Sequence, residues 1–509
     1  MKKKDNLFRL IKSLSKSEKR FFKIYSSRHV IGEQNNYVEL FDAIDNQMSY
    51  NEEALLKKFA GKKFSNRLPV AKSYLYELIL RSMNVYHTQN SIDAQLREML
   101  GTIAFLYQKG IYDQALKMVS KAKKLSIEFE KNNTTLLILN WEKHLIEADS
   151  FNNQNETILT QLQADSEKLL HQLLEINQYW LLHAHLQYYH TKHGITGNRE
   201  DLDKIAQLVN TPLLQEEVQP SSYEAKLLRY KTLANCYFII RNLPACYEYS
   251  KKLVTLLEER PELLHLEPLT YINAINNLLN TTAALNKQQE REEYLNKLQL
   301  MLNEEGRQSS EAIKLKLFEA YYYHRMTLFI SQGEYYSGLK CINDLEEGLI
   351  RFADQIDGMG MIMLCFYAFH ICFGAEQYQR AHYWLLRVLE YQNTNIRKDV
   401  VAFAKILTLL TTYEMNDKQL LNNSIKSVYR FLLTKERQYK LETIILQLLR
   451  NLKIAMTEAD FLLLIADLQT QIEQLAEDSF EKRVFAYFDF RAWVVAKIED
   501  KNLVNLNGY

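Results

Sequence analysis

Along most of the chain, apolar residues recur at three- and four-residue steps, the spacing that lines one face of an α-helix. Ile92, Leu96, Met99 and Ile103 form one stripe, Ala115, Met118, Val119 and Ala122 the next, and Ala381, Trp384, Leu385, Val388 and Leu389 repeat the pattern far downstream. Between stripes lie short polar breaks. The strongest read Gly110-Ile111-Tyr112-Asp113-Gln114-Ala115-Leu116, Gly333-Glu334-Tyr335-Tyr336-Ser337-Gly338-Leu339 and Glu376-Gln377-Tyr378-Gln379-Arg380-Ala381. Stepping by a period of about 44 residues leads to further breaks at Asn152-Asn153-Gln154-Asn155, Gly197-Asn198, Arg241-Asn242, Lys287-Gln288-Gln289, Asn416-Asp417 and Thr457-Glu458. A fixed period in this range marks chains that stack one supersecondary unit into a continuous core. The pattern predicts nine helix hairpins between residues 91 and about 500, followed by a tail over 501–509. Each hairpin would hold two helices of about twenty residues, ~30 Å long. A small residue three past the Tyr lets antiparallel helices approach, while the ring covers the open end of the hairpin.

Composition agrees with helices. The 509 residues include only six prolines and fourteen glycines, and no proline follows Pro268. Strands need frequent turn residues, whereas helix interiors exclude proline because it lacks a donor and clashes with the preceding turn. The prolines that occur sit at expected helix starts: Thr211-Pro212, Asn242-Leu243-Pro244, and Pro220 ahead of Ser221-Ser222-Tyr223-Glu224, which has capping-box spacing. Met359 to Phe373 is apolar but shorter than the ~20 residues of a spanning helix, so it reads as a helix buried on all sides. The start, Met1-Lys2-Lys3-Lys4, lacks the apolar core of a signal peptide, and the five cysteines form no CxxC pair. A cytoplasmic protein with reduced thiols is the expectation.

The cue Gly110-Ile111-Tyr112-Asp113-Gln114-Ala115-Leu116, with the small Ala122 seven residues on, resembles the tetratricopeptide repeat family. The likeness covers the turns of about four units. At about 44 residues the unit is longer than the family's 34 and nearer HEAT or armadillo repeats, but the near absence of proline argues against HEAT. The resemblance implies an all-α, superhelical α-solenoid of antiparallel helix hairpins, with a concave surface that holds peptides or protein segments.

Residues 1–90 differ in charge. They contain seventeen Lys or Arg and nine Asp or Glu, a net +8 in a chain of net +1, so residues 91–509 carry −7. Ser15-Lys16-Ser17-Glu18 has capping-box spacing, Ser49-Tyr50-Asn51-Glu52 should cap a short helix to Phe59, and Gly61 can end it before a helix bearing Leu75, Leu78 and Ile79. With Tyr37 to Ile44 ahead of them, these helices resemble a helix-turn-helix module. Lys57, Lys58, Lys62, Lys63, Arg67 and Lys72 would suit a phosphate backbone on that module, and a basic N-terminal cap is the alternative.

Polar residues inside the array are the other candidates. Asn273, Asn276, Asn277 and Asn280 form a stripe on one helix, with Asn235 at a comparable place one unit earlier. An amide both donates and accepts, so such a stripe can grip a partner's backbone. Tyr322 and Arg325 have the character of interface anchors, and His183 and His190 share a helix face. Those two histidines lie about 10 Å apart, too far to share a metal. No phosphate loop, nucleophile elbow or metalloprotease motif occurs, and Gly358-Met359-Gly360 lacks a third glycine. Glu319 and Asp489, carboxylates in aromatic surroundings without a partner at helical spacing, should pair with neighbouring helices. The chain therefore reads as a non-enzymatic interaction scaffold that uses no cofactor or metal and binds a protein or peptide segment. The alternative is a regulator whose first ninety residues touch nucleic acid.

Overall fold

The structure is a computed structural model that describes residues 6–27, 36–62, 67–88, 91–151, 156–193, 207–215, 218–264, 268–304, 310–352, 355–392, 394, 396–433, 440–452, 458–477, 485 and 487–499. Every regular element among them is helical. The chain divides into two compact units, Met1–Lys287 with Gln308–Ile313, and Gln288–Arg307 with Lys314–Tyr509. The expected tail at 501–509 lies outside the described residues.

In the first unit, helices Asn6–Ser13, Lys16–Ser27, Asn36–Asp45, Glu52–Lys58 and Leu68–Thr88 share one core. Ile11, Phe22, Leu40, Phe41, Leu75 and Ile79 are fully buried in it. The capping box forms: the Glu18 amide donates to Ser15 Oγ at 3.2 Å, and the Ser15 amide donates to the Glu18 carboxylate at 2.7 Å. Asn51 caps the fourth helix by accepting from the Ala54 amide at 3.0 Å, and Gly61 follows that helix at φ 91°. Leu68–Thr88 also packs on Ile92–Gln108, after which Tyr112–Glu128, Asn132–Ala148 and Glu156–His193 each pack on the helix before. Tyr223–Ile239 packs on Glu156–His193, and Leu243–Glu258 packs on both Tyr223–Ile239 and Pro268–Ala284.

Two expectations change here. Glu156–His193 is one helix of 38 residues, about 57 Å long, where two helices of about twenty residues were expected. No Gly or Pro interrupts it, and Leu162, Leu169, Tyr179 and Leu186 keep one buried stripe. The breaks at 152–155 and 197–198 lie outside the described residues. The proline-marked starts differ as well: Thr211-Pro212 opens only a 3-10 turn, Pro212–Leu214, rather than a helix, and Ser222, not the Ser221 of the expected capping box, caps Tyr223–Ile239 by accepting from Ala225, while Asn242 caps its helix as expected by accepting from Ala245.

In the second unit, helices from Gln288–Glu304 to Phe490–Glu499 surround a core that includes Phe369, Phe373, Trp384, Phe403, Phe490 and Trp493, each at most 1% exposed. Complete burial of one such side chain stabilises by roughly 1.5–3 kcal/mol. Helix Gly358–Gly374, capped by Asp357, is not buried on all sides: Met359 is 51% exposed, and Met363 and Tyr367 continue that partly open stripe. No described helix is long and apolar enough to cross a membrane.

One turn recurs in both units. At Gly110, Glu130, Arg241, Gly333, Glu376 and Asn416, φ lies between 53° and 72°, and the next helix begins two residues later. At Gly110 its amide bonds the Tyr107 carbonyl while the Ile111 amide bonds the Leu106 carbonyl, both at 3.0 Å; the same pair of bonds recurs at Glu130, Arg241, Gly333 and Glu376. This is the Schellman closure of a helix. Glycine takes the left-handed conformation freely, whereas other residues lose roughly 1–2 kcal/mol, offset by two bonds of about 1 kcal/mol each.

The small residue after the Tyr also acts, on a different neighbour than expected. A Cβ on Gly338 would sit 2.8 Å from Ile371, and one on Gly374 would strike the Tyr335 ring. The close approach is thus between Tyr335–Phe352 and the following helix, Gly358–Gly374. Inside the hairpin, Gly348 faces Phe318.

Candidate partner-binding site

The asparagine stripe lies on Pro268–Ala284, whose opposite face buries Ile272, Ile275, Leu278 and Leu279. Those apolar positions fix which side turns outward, leaving Asn273 and Asn277 exposed and Asn276 and Asn280 half-buried. Asn235, half-buried on Tyr223–Ile239, belongs to a helix held against the same intermediate helix, Leu243–Glu258. Among the described residues, the side chains of Asn235, Asn273, Asn277 and Asn280 make no hydrogen bond. Their donors and acceptors are available to another molecule. Asn276 does have an intramolecular interaction.

Tyr322 and Arg325 make contacts within the fold. Tyr322 is half-buried against Phe318 at 4.8 Å and Tyr321 at 5.2 Å between ring centroids, and burial raises its hydroxyl pKa well above the ordinary tyrosine value. Arg325 lies over the Phe329 ring at 4.5 Å, a cation–π contact within the same helix. His183 is half-buried with Nδ1 unpaired, and burial, aided by the nearby Lys231 charge, lowers its pKa to about 4. It is a neutral imidazole at pH 7. His190 is on the same helix, but its side chain lies outside the described residues.

The basic residues of the first ninety do not form one free face. Lys62 pairs with Glu39, and Lys72 pairs with Glu52 at 3.0 Å while its ammonium sits 4.6 Å from the Tyr50 ring centroid. The hydrogen bonds of Glu52 to Tyr50 and Lys72 lower its carboxyl pKa. Lys19 pairs with Asp45 and Lys23 with Asp42, each at 2.6 Å. Lys57, Lys58 and Arg67 remain exposed, and Lys63 lies outside the described residues.

Glu319 does have a partner at helical spacing, since the Lys316 ammonium is 2.6 Å away; no neighbouring helix is needed to balance it. Asp489 caps Phe490–Glu499 by accepting from the Ala492 amide at 2.9 Å. Both carboxylates thus have structural work within the chain.

Two grooves escaped the reading of the sequence. Tyr230, Tyr247, Glu248, Lys251 and Lys252 line one of about 480 Å3 between Tyr223–Ile239 and Leu243–Glu258. Its charges are mixed: Lys252 pairs with Glu248 at 2.6 Å, and Lys251 bonds the Tyr247 hydroxyl at 3.1 Å. The other, about 460 Å3, is bordered by Lys405, Asn423, Lys426, Ser427, Arg430 and Phe431. A lone lysine in the apolar run Val400 to Leu410 was the available signal.

Comparison with protein-family models and with curated proteins gives no match for the chain.

Proposed function

We propose that the chain is a non-enzymatic scaffold, a tetratricopeptide-like α-solenoid that holds a segment of a partner protein through the amides of Asn235, Asn273, Asn277 and Asn280. The supporting observation is that these four side chains, on Tyr223–Ile239 and Pro268–Ala284, have no hydrogen bond among the described residues. An exposed asparagine contributes little to a helix, which ranks it well below Ala, Leu or Glu. An amide row can instead satisfy the donors and acceptors of an extended segment. The recurring turn supports the solenoid, because one closure repeated along the chain sets similar hairpins in series. Residues 1–90 are then a capping module: their hydrophobic core is their own, and Leu68–Thr88 also packs on Ile92–Gln108. Nucleic-acid contact through that module is the weaker reading, since Lys62 and Lys72 are engaged with Glu39 and Glu52.

Affinity purification from source-cell extract, with and without nuclease, tests the proposal against its rival. The scaffold predicts protein partners that survive nuclease and are lost when Asn273, Asn277 and Asn280 are changed together to Ala, with the melting temperature unchanged. Nucleic acid as the sole bound species, or partners retained by the triple variant, would overturn it.

A further inference from the structure

In the second unit, Asn423, Lys426, Ser427 and Arg430 fall at i, i+3, i+4 and i+7 along Lys418–Leu433, forming one exposed face. Across from them stands Lys405 of Lys398–Glu414, and Phe431 completes the groove of about 460 Å3. Among the described residues, no carboxylate lines it. Two other cations of this unit are matched by carboxylates: Lys497 meets Glu414 at 2.7 Å and Arg380 meets Glu346 at 3.0 Å. Among the described residues, neither Lys405, Lys426 nor Arg430 pairs with a carboxylate.

Lys405 is the most informative of the three. It interrupts a run of buried residues from Val400 to Leu410, and its ammonium is held 4.4 Å from the Phe431 ring centroid. A half-buried ammonium without a counter-charge is costly, and desolvation lowers its pKa. An anion in the groove would remove that imbalance. The available groups are nearly all donors: two ammoniums, a guanidinium fork, a hydroxyl and an amide. This set matches phosphate oxygens, which accept several charge-assisted hydrogen bonds at once, and the volume lies in the range of small-ligand sites, about 300–1,000 Å3.

We propose that the groove of Lys405, Lys426 and Arg430 is a binding site for a small phosphate-bearing anion. The site is independent of the asparagine stripe, which lies in the other unit. Binding there brings three positive charges to one ligand and anchors it between the two helices of a hairpin.

Calorimetric titration of the full chain at low salt with inorganic pyrophosphate, a sugar monophosphate and a nucleoside triphosphate tests this. The site predicts saturable one-site binding of pyrophosphate, weakened at least tenfold by Lys426→Gln combined with Arg430→Gln. These positions are exposed, so the helix content should be unchanged. Lys405→Met retains the apolar stem and should give the same loss. Lys340→Gln, an exposed cation outside the groove, should stay within twofold of wild type. The tighter of the two organic phosphates identifies whether a sugar or a nucleotide carries the group. Absence of saturable binding, an equal loss in Lys340→Gln, or preference for a single-stranded oligonucleotide over every small phosphate would overturn the assignment.

Discussion

Gly101 and Gly110 allow the same substitution to be made in two backbone conformations. Both lie within the first array hairpin, and a Cβ built on either meets no atom within 4 Å. Gly101 is an exposed position inside Ile92–Gln108, whereas Gly110 takes φ 72° in the closing turn. Gly101→Ala should stabilise by about 0.8–1 kcal/mol, the helix-propensity difference. Gly110→Ala incurs roughly 1–2 kcal/mol for the left-handed conformation, against roughly 0.4–1 kcal/mol recovered by restricting the unfolded chain. The net is a loss of about 1 kcal/mol. The variants should therefore differ by about 2 kcal/mol, roughly thirtyfold in the local opening equilibrium. Hydrogen exchange over residues 100–130 is the suitable readout, because a chain of two units need not unfold in one step. Protection should fall in Gly110→Ala, most at the Ile111 amide that closes the turn on Leu106, and rise in Gly101→Ala. Changes of the same sign would refute the claim that backbone conformation, rather than contact, explains the glycine in the repeated turn.

Other expectations follow from packing and protonation. Gly348→Ala should destabilise the second unit by about 1–3 kcal/mol, because the new methyl strikes the ring of Phe318, itself packed on Tyr322 and Phe352; urea denaturation followed by fluorescence of the buried Trp384 and Trp493 would measure it, and an unchanged midpoint would contradict the packing. His370 lies among Phe366, Phe369 and Phe488, and burial holds its pKa down to about 4. The unfolded chain binds that proton near the ordinary value of about 6.5, so stability falls as pH drops from about 6.5 toward 4. His370→Phe should flatten that part of the stability–pH curve, and an equally steep loss in the variant would show that other groups cause it.

Much of the helical organisation was legible because breaks carry chemical signatures. Gly110 and Gly333 mark left-handed turns, and Ser15 with Glu18 marks a helix start. Glu130, Arg241 and Glu376 adopt the same turn with no residue preference to reveal it, since two backbone hydrogen bonds offset the conformational cost. A fixed period also hid the continuity of Glu156–His193, where the absence of Gly and Pro was the better guide. Charge counts identified the basic first ninety residues but not the pairing of Lys62 and Lys72 with Glu39 and Glu52, which lie about twenty positions away in sequence. The asparagine stripe was visible from spacing alone, while the lack of internal hydrogen bonds at Asn273, Asn277 and Asn280 required the packed helix. The Lys405 groove joins two helices and could be read only in part from either.

The most direct test of the scaffold is site-specific photo-crosslinking in the source cells. A photoreactive amino acid at Asn277 should capture a discrete protein adduct that survives nuclease, whereas the same probe at Ile350, 81% exposed on the second unit, should not. Failure to capture protein at Asn277, or capture of the same adduct from both positions, would contradict a partner held by the asparagine stripe.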